Sequence, residues 1–74
     1  MSEPLDLRVL KCPLPALFAR RALARLAPGE EIEVVADDPL AAVDIPHMCH
    51  QERHEVVAVA RDGAVTRLRL KRGA

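Results

Sequence analysis

The stretch PLDLRVLKCPLPALFARRALARLAPG, Pro4 to Gly29, changes its hydrophobic period once, and the change falls at a cysteine. Leu5, Leu7 and Val9 alternate with Asp6 and Arg8, a period of two that predicts a strand over Pro4–Leu10 with those three apolar residues on its buried face. From Pro13 to Leu26 the period becomes helical, with Ala19, Ala22, Leu23 and Leu26 on one stripe and Arg20, Arg21 and Arg25 away from it. Pro13 and Pro15 stand where a helix start tolerates missing N–H donors, and Ala27-Pro28-Gly29 ends the run. Cys12 therefore sits between a strand and a helix N-terminus.

Outward from this stretch the elements repeat. EIEVVA, Glu31 to Ala36, alternates again, and Asp38-Pro39 is an N-cap followed by proline, so a second helix is expected to start there and run towards Cys49. Pro46 inside it predicts a kink, or a restart capped by Asp44. His54–Lys71 reads as two strands joined by Asp62-Gly63, a pair favoured in two-residue hairpin loops. Pairing about that loop sets Val57 opposite Leu68 and Val59 opposite Thr66 on the core face, with Arg67, Arg69 and Lys71 on the wet face. The order is βαβαββ. The expected fold is α/β, a two-layer sandwich with two helices on one face of a four-stranded mixed sheet, in one domain over residues 1–74.

Composition narrows the function. Lys plus Arg equals Asp plus Glu at 11 each, so the molecule as a whole does not attract polyanions and any basic patch must be local. No apolar run approaches the roughly 18 residues of a membrane span, and MSEPLDLRV lacks the basic start and apolar core of a signal peptide. A cytoplasmic location is expected, and a reducing compartment argues for two free thiols over a disulfide between Cys12 and Cys49.

A helix N-terminus presents unpaired N–H groups and partial positive charge, which favour thiolate over thiol. Cys12 at that pole, with Lys11 beside it and Arg8 nearby, reads either as an activated nucleophile, accessible on a surface loop that Pro13 and Pro15 restrict, or as a small buried hydrophobe at a strand-to-helix junction.

The residues also carry a resemblance. CPLP after a short strand, then ADDP, then DIP and a second cysteine followed by HEV, resembles the TusA-like sulfur-carrier family and its Cys-Pro-x-Pro motif, from Leu5 to the end of the hairpin. The resemblance implies a two-layer α/β sandwich and a carrier that takes sulfane sulfur as a persulfide from a donor protein and passes it to an acceptor. Cys12 would bear the sulfur, with Pro13 and Pro15 the motif prolines. Asp37, Asp38 and Pro39 match the family's acidic cap, and Asp44, Ile45 and Pro46 its second signature. The family often has glycine three residues before the cysteine, where this chain has Val9.

The donor would be a cysteine desulfurase or a rhodanese and the acceptor a sulfur-relay protein, in a pathway such as tRNA thiolation, molybdenum-cofactor assembly or sulfur oxidation. No cofactor or metal is expected, and the carrier is expected to be a monomer. Leu14 and Leu17 beside Arg20 and Arg21, on the turns just after Cys12, form a candidate docking surface.

Two other functions compete. Arg67, Arg69 and Lys71 on an open sheet face suit an RNA-binding module, and the expected fold also resembles the C-terminal domain of a translation initiation factor. One phenylalanine and no tyrosine or tryptophan leave that face without stacking platforms. Cys49 offers a redox partner for Cys12, or a metal site with His47, His50 and His54, which share a helical face if the helix persists. The spacing lacks CxxC, and the reading preferred for Cys49 is a structural core residue.

Overall fold

The computed structural model describes residues 4–73, so residues 1–3 and 74 of the expected domain lie outside the described residues. Its elements are β1 (Leu5–Asp6), α1 (Leu14–Ala24), β2 (Glu31–Ala36), α2 (Ala41–Gln51), β3 (Glu55–Asp62) and β4 (Val65–Lys71). The sheet order is β1-β2-β4-β3, with β1 parallel to β2 and the other two pairs antiparallel. One core joins the layers: Ala19 and Leu23 of α1 and Ile45, Met48 and Cys49 of α2 pack on Val34, Ala36, Leu68 and Leu70 of the sheet. The expected two-layer mixed-sheet sandwich is the observed one.

The first strand is shorter than its alternation predicts. The ladder holds Leu5 opposite Val34 and Asp6 opposite Val35, and Leu7 N–H adds a bond to Val35 C=O at 2.7 Å. Leu7 is buried, but Val9 is 80% exposed and not on the core face as expected. The reason is a turn from Leu7 to Leu10, closed by Leu10 N–H on Leu7 C=O at 3.3 Å, in which Val9 has φ 67°. Period-two patterning cannot register a backbone that leaves the strand.

The second helix begins at Ala41, not at Asp38-Pro39. Asp38 C=O accepts Ala41 N–H at 2.9 Å and Asp38 Oδ1 accepts Leu40 N–H at 3.1 Å, so Asp38-Pro39 builds a turn with proline in second position ahead of the helix. No restart occurs at Asp44: one helix runs through Pro46 to Gln51.

The hairpin loop is Gly63-Ala64, not Asp62-Gly63, because Asp62 pairs with Val65. Of the loop residues only Gly63 has positive φ, at 63°, which suits a turn that wants glycine first. Leu68 therefore faces Val59, Thr66 faces Arg61, and a bulge at Val57 gives the inner position to Val56, which pairs with Leu70 and packs on the core. Val57 and Val59, expected inside, are 41% and 52% exposed on this edge strand.

Candidate functional site around Cys12

Cys12 lies exposed on the loop between β1 and α1, just before the N-cap Pro13, with a cis Cys12–Pro13 peptide bond. Three carboxylates from distant sequence hold this loop. Asp37 Oδ1 accepts Val9 N–H at 2.9 Å, Asp38 Oδ2 accepts Cys12 N–H at 2.6 Å, and Asp44 Oδ2 accepts the Cys12 thiol at 2.7 Å. Held by the N–H groups of Cys12 and Leu40, and with Lys11 nearby, the buried Asp38 carboxyl lies below the usual carboxylate range.

The electrostatics reverse the sequence expectation. The hydrogen bond to Asp44, then partial desolvation and the charges of Asp44 and Asp38, push the Cys12 thiol above its ordinary value. At the expected helix pole, Leu14 N–H is spent on Lys11 C=O at 2.8 Å and Pro15 has no N–H to offer. Nor does Arg8 support the thiolate. Its guanidinium and backbone N–H bind Asp6 at 2.8 to 3.0 Å, which holds the Asp6 carboxyl at about 2. Lys11 acts on Asp38 instead of on the sulfur.

Along the exposed side of α1, from Leu14, two residues after the cysteine, to Ala24, runs a groove of about 540 Å³. Leu14, Leu17, Arg20 and Arg21, the residues singled out in the sequence, line it together with Phe18 and Glu52. Leu14, Leu17 and Phe18 are 40–44% exposed, a large apolar fraction for so small a helix face. Phe18 was not anticipated as part of this surface, although it stands four residues after Leu14 and so on the same side of the helix. Asp44 was also missed as a partner of the thiol. Its only sequence signal is its place in the DIP signature, which says nothing of what it touches.

The other candidate groups separate. Cys49 is buried in the core, and burial pushes its thiol up to about 11. His47, His50 and His54 do not share a helical face, because α2 ends at Gln51, Arg53 takes φ 64°, and His54 Nδ1 accepts Gly73 N–H at 3.0 Å. Among the described residues no three His, Cys, Asp or Glu side chains gather as metal ligands would. On the open sheet face Arg67 pairs with Glu33 at 3.4 Å, and Arg69 with Glu33 at 3.4 Å and Glu31 at 3.6 Å. The arginine stripe is thus interleaved with carboxylates, a poor match for a phosphate backbone. None of the described helices is long and apolar enough to cross a membrane.

Comparison with solved structures gives the same fold in a SirA-like protein from Desulfitobacterium hafniense, at 22% identity and a TM-score of 0.82, over 96% of this chain and 97% of that one. The family model described as Sulfurtransferase TusA matches residues 3–72, nearly the whole chain. With an exposed cysteine in a Cys-Pro-x-Pro loop at the head of α1, the chain belongs to the TusA sulfurtransferase family, whose general role is to carry sulfur in exchange with relay proteins.

Proposed function

We propose that Cys12 receives a sulfane sulfur from a donor protein, holds it as a persulfide and delivers it to an acceptor in a sulfur relay. The observation that supports this most is the division of the two thiols: Cys12 is exposed at the head of the helix that carries an apolar groove, and Cys49 is enclosed in the core. A carrier needs one accessible sulfur and a surface on which partners dock.

Loading is an exchange at sulfur. The Cys12 thiolate attacks the outer sulfur of a donor persulfide, a new S–S bond forms at Cys12, and the donor's S–S bond breaks with its inner sulfur leaving as thiolate. The proton lost by Cys12 balances the one taken up by that leaving group, and neither partner is oxidised overall. Delivery is the same exchange run towards the acceptor. A cysteine desulfurase or a rhodanese supplies the donor persulfide. The acceptor belongs to a pathway such as tRNA thiolation, molybdenum-cofactor assembly or sulfur oxidation, in the cytoplasm. The protein works as a monomeric single domain, with partners docking over Leu14, Leu17, Arg20 and Arg21.

The test is intact mass after incubation with a cysteine desulfurase and cysteine, or with a rhodanese and thiosulfate. Wild type is expected to gain one reducible sulfur, about 32 Da, and Cys12→Ser to gain none. No gain from either donor, while iodoacetamide still labels Cys12, would leave a thiol without carrier function and overturn the reading.

A further inference from the structure

Asp44 and Cys12 meet across 32 residues of chain, with Oδ2 2.7 Å from Sγ. Among the described residues Asp44 has no ion pair, and its one side-chain hydrogen bond is to this thiol. The approach is held from both sides. Asp37 and Asp38, in the segment leading into α2, clamp the N–H groups of Val9 and Cys12, and Asp44 stands in the first turn of α2 itself. A carboxylate can accept a hydrogen bond only from a sulfur that carries a proton. A thiolate in the same place would face the Asp44 charge at contact, with Asp38 close behind.

We propose that Asp44 is a positioning residue that holds the unloaded Cys12 as a protonated thiol turned towards α2, and so keeps it unreactive until a partner docks. This rests on the carrier reading of Cys12. The raised thiol value agrees with the geometry. Once the outer sulfur is attached, Sγ has no proton to donate. The bond to Asp44 is then lost, and the outer sulfur turns away from the carboxylate. One side chain thereby treats the empty and the loaded carrier in opposite ways.

The groups bearing on Sγ are Asp44 from α2 and Asp38 from the loop before it, and Lys11, on the cysteine's own loop, acts on Asp38. Arg8 is tied to Asp6, and His47 lies three residues beyond Asp44 on the same helix.

The experiment is the rate of Cys12 alkylation by iodoacetamide across roughly pH 6 to 10, followed by intact mass on the full chain, with Cys12→Ser as background. Iodoacetamide is neutral, so removing a charge near Cys12 does not change its local concentration. In Asp44→Asn and in Asp44→Ser the midpoint of the profile is expected to fall. Alkylation at neutral pH should rise about tenfold for each unit of that fall. Asp44→Glu should stay near wild type, and His47→Gln should leave the midpoint in place. Melting curves of the variants identify any profile that reports unfolding. A midpoint that is unchanged or raised in both Asp44→Asn and Asp44→Ser would overturn the proposal. Alkylation needs no sulfur donor, so this result is separable from a failure of persulfide loading.

Discussion

Val9 shows how one residue can work against its own side chain. Its φ of 67° is a conformation in which a β-branched residue crowds its own backbone, at a cost of about 1–3 kcal/mol. The turn it makes brings the chain off the sheet edge, and Val9 N–H then reaches Asp37 at 2.9 Å, which helps fix the loop that carries Cys12. The glycine that the family often has at this place needs no such strain. Val9 is 80% exposed, so its isopropyl group contributes little burial to offset the cost. Val9→Gly is expected to raise the urea unfolding free energy by about 1 kcal/mol, the relief of strain less glycine's greater freedom in the unfolded chain. A lower stability would mean that the side chain stabilises the loop in a way its exposure conceals. The alternation Leu5, Leu7, Val9 hid all this, because a pattern of side chains carries no information about the sign of φ.

Within α1 two faces of one helix have separate work. Ala19 and Leu23 are fully enclosed against the sheet and α2, and Leu14, Leu17 and Phe18 stand over the groove. Leu23→Ala is expected to cost about 3 kcal/mol, lost transfer energy plus a cavity the packed core cannot close. Leu17→Ala should change stability by less than about 0.5 kcal/mol, yet slow single-turnover sulfur transfer from a protein donor by roughly fivefold if the groove is the docking surface. Urea denaturation and quenched transfer assays on the two variants decide it. Equal effects of both substitutions on stability, or none of Leu17→Ala on transfer, would remove the division of labour. The helix end is also held: Arg72 donates to the carbonyls of Ala24 at 2.9 Å and Leu26 at 2.6 Å, where the dipole favours a cation.

For the whole molecule, the single core makes the ionisation of Cys49 a question of global stability. Its thiol lies at about 11 against an ordinary 9.0 because burial disfavours the anion. The unfolded chain therefore gives up this proton at lower pH than the native one. The contribution is fully present below about pH 9 and is lost as pH rises towards about 11. Urea unfolding should show wild type losing about 2 kcal/mol more than Cys49→Ala over that interval. Parallel loss in both would mean that Cys49 ionises without unfolding, and hence that the core admits water there.

From the sequence alone came the element order, the apolar stripe of α1, the enclosed face of β4 and the identity of the thiol that sits at the junction. These follow from local rules, since periodicity, turn residues and a cysteine motif are each legible over a few neighbouring positions. The hairpin register was misread because the loop slid by one residue and a bulge at Val57 changed which valine faces inward, and neither leaves a mark in composition. The direction of the shift at the Cys12 thiol was misread for a similar reason. Local reasoning counted the neighbours Arg8 and Lys11 and the helix pole, whereas the groups in contact are Asp38 and Asp44, from 26 and 32 residues away. Electrostatics acts through distance in space, so only the folding of α2 against the cysteine loop could decide the sign of that shift.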